Sequence, residues 1–140
     1  MQLNRADLQK LSKLRAKEAA ALLKVGHAPG AYYLSGYAVE CALKACIAKR
    51  TREFDFPDKH AVNKSWTHDL EDLLKAAELQ ADLERETGTN KSFEVNWKVV
   101  IDWSEEHRYR LTVSDKDAKD LLNACLDETN GVIPWIEKRW

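Results

Sequence analysis

Apolar residues recur along the chain at helical spacing, and no stretch alternates as a half-buried strand would. Leu8, Leu11, Leu14, Leu22 and Val25 fall on one face at about 100° per residue. They predict a first helix from about Arg5 to Val25. Asn4 stands where an N-cap belongs, and Asp7 places a carboxylate near the helix N-terminus. Gly26, His27 and Pro29 supply the stop. A second helix follows from about Pro29 to Arg50, with Pro29 suited to its first turn. Its inner stripe reads Tyr33, Gly36, Tyr37, Glu40, Lys44 and Ile47. Residues Thr51 to Lys64 read as a long loop that Phe54 and Phe56 fold back onto the body.

A third helix is expected to start near Trp66, with Thr67 as N-cap, Asp69 in the first turn, and Leu70, Leu73, Leu74 and Ala77 on its apolar face. A short helix from about Leu79 to Glu86 ends at Gly88. The next runs from about Ser92 to Arg108, with Phe93, Trp97, Val100, Ile101, Ser104 and Arg108 on one face. Ser114 opens the following helix with Asp117 at its third position, a shortened capping box. Ala118, Leu121, Leu122, Cys125 and Leu126 form its stripe. Gly131 and Pro134 then break or kink the chain before a last turn from Trp135 to Trp140. The pattern implies an all-α, up-and-down bundle of four to five main helices with mostly short connections.

Composition narrows the class. The chain has 140 residues, enough for one core, so residues 1–140 read as a single domain. Lys and Arg number 22 against 23 Asp and Glu, a net charge of −1, which argues against a general duplex-DNA binder. Cys41, Cys46 and Cys125 lack the spacing of a disulfide framework or a zinc site and read as small buried hydrophobes. The N-terminus has no apolar run, and no stretch approaches the roughly 18 apolar residues that span a bilayer. A cytoplasmic location is expected, with no membrane, metal or cofactor.

Glu40 is the residue that most asks for an explanation. A carboxylate in the middle of a core stripe needs a partner. Lys44 is one turn away but has a long stem that reaches outward. Arg108 falls on an otherwise apolar face, so a buried Glu40–Arg108 pair is expected, joined by His68 or a tyrosine hydroxyl. Such a pair reads as a structural link between helices or as a functional site. His68, beside Asp69, reads as a local hydrogen-bonding group or a catalytic base. His107, Arg108, Tyr109 and Arg110 form a small basic and aromatic patch suited to a phosphate or a stacked base, or a solvated turn. Lys49, Arg50 and Arg52 form a second basic cluster at a helix C-terminus. Trp97 reads as core. Trp103, Trp135 and Trp140 read as a second aromatic face, either ordinary packing or a dimer interface.

At this point the residues resemble a known family. The run AYYLSGYAVECALKACIAK, from Ala31 to Lys49, resembles the second helix of HEPN domains: a small-aromatic run, an apolar-x-Glu, then Ala-Leu-Lys-Ala. THDLEDLL, from Thr67, resembles the family's Thr-His-Asp-Leu segment. Arg108 and Tyr109, followed by a capped helix rich in Ala and Leu, resemble its Arg-Tyr segment and last helix. The likeness spans about Leu8 to Lys138.

The resemblance implies a helical bundle, often a homodimer, frequently encoded beside a minimal nucleotidyltransferase in toxin–antitoxin or defence modules. Many active members are metal-independent ribonucleases carrying Arg-x(4–6)-His, in which the His moves protons at the RNA 2′-OH and the Arg stabilises phosphate charge. This sequence departs from that motif: Arg52 to His60 is one residue too long, and Arg108 has no His downstream. By position, the resemblance carries over Glu40, Lys44, His68, Arg108 and Tyr109 as a polar centre, with Arg110 beside it. The expected role is a homodimeric nucleotide- or RNA-binding or partner-docking module working with a nucleotidyltransferase. The enzyme alternative is a ribonuclease toxin using Arg108 with His107 or His68. The third is a purely structural bundle.

Overall fold

The second helix is apolar or small on nearly every side, and such a helix is stable only when other elements cover it all round. The computed structural model, which describes residues 3–53 and 66–140, places it at the centre. Among the described residues there are seven α-helices, one 3-10 helix and no strand. They are α1 (Arg5–Lys24), α2 (Ala28–Glu53), α3 (Leu70–Ala76), α4 (Gln80–Thr89), α5 (Lys91–Ile101), the 3-10 helix (Glu105–Tyr109), α6 (Asp115–Leu126) and α7 (Val132–Glu137). Helix α2 touches α1, α3, the 3-10 helix, α6 and α7, while α4 packs on α5 at one side. Ala38, Val39, Glu40, Cys41, Ala42 and Leu43 are six consecutive buried residues, which at about 100° per residue accounts for every face of the middle of α2. The inner stripe expected there is therefore only part of the story, and Tyr33, Tyr37 and Lys44 are its half-buried edge.

Helix α1 starts as its sequence says. Asn4 accepts the Asp7 backbone N–H, and Asp7 accepts the Asn4 N–H in return. It stops in a Schellman turn: Gly26 takes φ +90°, the Gly26 N–H donates to Leu23 and the His27 N–H to Leu22. The buried face differs from the leucine stripe. Leu8, Ser12, Ala16 and Ala19 face inward, while Leu14 and Val25 are 48% and 67% exposed. Small residues let the two backbones approach, and the Ser12 hydroxyl donates to the Ala38 carbonyl at 2.8 Å. That bond satisfies a fully buried hydroxyl.

Other boundaries move for local reasons. Asp69, not Thr67, caps α3 by accepting the Asp72 N–H. Helix α4 runs through Gly88 to Thr89, and Asn90 caps the start of α5 by accepting the Phe93 N–H. Helix α5 ends at Ile101 rather than Arg108, because Ser104 begins the separate 3-10 helix. Ser114 caps α6 as expected. Pro134 lies in the first turn of α7, where proline is tolerated, and breaks nothing. Trp103 and Trp135 are buried within the chain, against Tyr33 and Phe93 respectively, so they do not form a dimer face. Phe54, Phe56 and His60 lie outside the described residues. No helix among the described residues is long and apolar enough to cross a membrane.

The three cysteines are free and buried. Burial pushes the Cys41 and Cys46 thiols up to about 11 and Cys125 up to about 12, from an ordinary 9.0. The folded state thus holds these protons more tightly than the unfolded chain. The stabilisation is fully present below the ordinary thiol value and is lost as pH rises through the folded values. No thiol is expected to react with an aromatic disulfide reagent at pH 8 until urea unfolds the protein, when three react. The urea midpoint is expected to fall from pH 9 to pH 11.

Candidate functional site

Glu40 sits in the middle of α2 and is 2% exposed. An ionised carboxylate there requires donors from inside the protein. Lys44, one helical turn on, places its Nζ 3.2 Å from Glu40 Oε2. His68, just ahead of α3, places Nδ1 3.0 and 3.2 Å from the two Glu40 oxygens. A carboxylate acceptor calls for the proton on Nδ1. The other ring nitrogen, Nε2, lies 3.3 Å from Glu105 Oε2 at the start of the 3-10 helix. His68 is therefore held between a buried carboxylate and a half-exposed one, and its ring remains partly open to solvent.

The expected Glu40–Arg108 pair is replaced by this arrangement. Because α5 ends at Ile101, Arg108 leaves the Trp97–Val100 face. It stands exposed on the 3-10 helix, its guanidinium 4.8 Å above the Tyr109 ring. Tyr109, by hydrogen bonding first and then by charge, pushes the Arg108 pKa above its ordinary value, with smaller contributions from Glu105 and Tyr33. Arg108 shares the 3-10 helix with Glu105, the residue that His68 reaches. Tyr109 is 74% exposed, and Arg110 is exposed beside it.

His107 turns the other way. Its Nδ1 accepts the Ser104 N–H at 3.1 Å and its ring packs on Tyr32 at 4.6 Å between centroids. It is buried, so within the triplet His107 anchors the turn while Arg108 and Tyr109 face solvent. Lys49 is exposed, and Arg50 pairs with Glu78 at 2.6 Å.

Tyr33 and Tyr37 continue the α2 edge beyond Glu40. Tyr33 stacks on Trp103 with centroids 6.0 Å apart, and Arg15 of α1 stands 6.0 Å over Tyr37. Burial pushes the Tyr37 phenol up, with Cys41 and Glu40 adding to it. Trp103 lies flat against Gly36, where any side chain would enter the indole. Glu105 was not singled out from the sequence. Its contact with His68 depends on a 3-10 turn that carries no periodic signal. Among the described residues no group of three or more His, Cys, Asp or Glu side chains is arranged to hold a metal ion.

A family model described as the HEPN domain matches residues 7–139. No curated protein and no solved structure matches the chain.

Two outcomes check this geometry. Gly36→Ala is expected to cost about 1–3 kcal/mol or more from overpacking against Trp103, read as a lower urea midpoint. Lys44→Met combined with His68→Leu leaves Glu40 buried without a donor and is expected to cost about 3–5 kcal/mol. Glu40→Gln in the same assay is expected to cost less, because Lys44 can then extend into water.

Proposed function

The chain belongs to the HEPN domain family, and on that premise we propose that it is a homodimeric RNA- or nucleotide-binding component, acting in the cytoplasm beside a nucleotidyltransferase partner in a two-component system of toxin–antitoxin or defence type. The observation that carries the binding reading is the exposed Arg108–Tyr109–Arg110 turn, with a guanidinium already seated over a phenol ring. Arginine offers a planar fork that matches phosphate oxygens. An exposed tyrosine offers a face on which a base stacks without regard to its identity. Glu40, Lys44 and His68 support the turn from behind, because His68 reaches Glu105 at its first residue.

A second reading is favoured by one feature of His68. Its Nδ1 is oriented by Glu40, as a general base is oriented by a carboxylate. That leaves Nε2 on the side of Glu105, next to the Arg108 turn. A metal-independent ribonuclease would use His68 to move the 2′-OH proton and Arg108 to stabilise phosphate charge, in place of the missing Arg-x(4–6)-His pair.

One assay separates the readings. Purified protein is incubated with labelled single-stranded RNA in EDTA, binding is followed by anisotropy, and integrity of the RNA is followed on a gel. The binding reading expects intact RNA and an affinity about 5- to 160-fold weaker for Tyr109→Ala, the worth of about 1–3 kcal/mol for one stacked base. Cleavage that falls by about 100- to 10,000-fold in a folded His68→Ala protein would establish the ribonuclease. Folded protein that neither binds nor cleaves leaves a structural bundle.

A further inference from the structure

Helix α1 carries six basic residues, Arg5, Lys10, Lys13, Arg15, Lys17 and Lys24, against two acidic ones, Asp7 and Glu18, in a chain whose net charge is −1. The positions of the lysines matter more than their number. At about 100° per residue, Lys10, Lys13, Lys17 and Lys24 fall within about 60° of arc. That arc lies opposite the buried face of Leu8, Ser12, Ala16 and Ala19. All four lysines are exposed. Asp7 and Glu18 fall outside the arc, and Glu18 is engaged by Arg15 at 2.5 Å.

Several surface lysines elsewhere pair on their own helices, whereas Lys49, Lys75, Lys119 and Lys138 are exposed singly and make no ion pair among the described residues. Lys91 and Lys98 pair with Glu94, and Lys116 pairs with Asp120. Among the described residues none of the four α1 lysines makes such an ion pair. Lys13 instead places its Nζ 5.7 Å from the Trp140 ring. The stripe spans about 21 Å along the axis at about 1.5 Å per residue.

We infer that the outer face of α1 is a track for the phosphate backbone of RNA, separate from the Arg108–Tyr109–Arg110 turn. The inference rests on the reading that the chain binds RNA, and it makes the ligand a polynucleotide long enough to reach a second surface. The face offers point charges on flexible stems, and its one neighbouring ring, Trp140, is half-buried with Lys13 over it, so the face recognises backbone and not sequence. A folded acidic partner needs an apolar centre to its contact, and between these lysines there is little but Ala6, Leu14, Ala20 and Ala21.

The test uses two fluorescein-labelled oligouridylates, of about 20 and about 5 nucleotides, with site sizes of single-strand binding modules as the guide. The full chain is compared with a variant carrying Lys10→Gln, Lys13→Gln, Lys17→Gln and Lys24→Gln, and with an Arg108→Ala, Arg110→Ala variant. Glutamine keeps helix propensity close to that of lysine, and circular dichroism confirms the fold. The track predicts that the lysine variant binds the longer oligomer with a slope of log K against log salt shallower by about 3, at about 0.7 per phosphate contact. Its binding of the short oligomer stays at the wild-type level. A wild-type slope on the longer oligomer overturns the track, and if the arginine variant weakens both lengths the binding turn stands. Weakening by the lysine variant alone, with the arginine variant like wild type, supports the track and overturns the turn. Wild-type protein that binds neither length overturns both. Polyglutamate that displaces the longer oligomer as well as unlabelled polyuridylate, charge for charge, overturns the phosphate assignment in favour of an acidic protein.

Discussion

A carboxylate inside a helix that must be covered on every side is the constraint around which this molecule is arranged. The middle of α2, from Ala38 to Leu43, is covered on every side, so it takes the centre. Glu40 then has to find its donors within the protein. Lys44 comes from the same helix and His68 from the start of α3. His68 also reaches Glu105, so one ring ties together α2, the approach to α3 and the 3-10 helix. Three elements distant in sequence meet at this ring. Bonding to both carboxylates takes a proton on each nitrogen, and an Nε2 that serves as a base gives up the bond to Glu105. A purely apolar core would pin them less uniquely, since apolar contacts tolerate small slides that a hydrogen bond does not.

The same junction decides which side chains are left for other molecules. The chain breaks at Asp102 and restarts at Ser104, and the short 3-10 helix folds back on α2. Trp103 lies on Gly36 and His107 on Tyr32, which anchors the turn from inside. Arg108, Tyr109 and Arg110 are what that anchoring leaves outside. A rigid support beneath an exposed cation and ring lowers the cost of ordering them on a ligand. The proposed binding turn and the buried centre are thus two sides of one construction, with His68 and Glu105 at the boundary.

Helix α1 shows how close packing sorts charge as well as bulk. Ser12, Ala16 and Ala19 bring its axis close to α2, and a helix packed by small residues exposes its longer side chains. The lysines end on the far side, without, among the described residues, the i,i+3 and i,i+4 ion pairs that Lys91, Lys98 and Lys116 make. A chain with almost no net charge therefore carries a helix with a distinctly basic outer face.

Much of this was legible in the sequence. Helical state follows from spacing alone, and the caps at Asn4 and Ser114 and the stop at Gly26 follow from local hydrogen bonding. The short motifs around Glu40, His68 and Arg108 pointed to the family that the match over residues 7–139 shows. The need of Glu40 for a partner followed from its place among apolar neighbours, and His68 was already named beside it. Tertiary structure alone decided that His68 and Lys44, not Arg108, supply the donors, that Glu105 joins them, and that α1 turns its small residues inward instead of its leucines. The reason is the range of the information. Caps and periodicity are settled within a turn or two of helix, whereas Glu40 and His68 are 28 residues apart and meet only because the middle of α2 is buried from all sides.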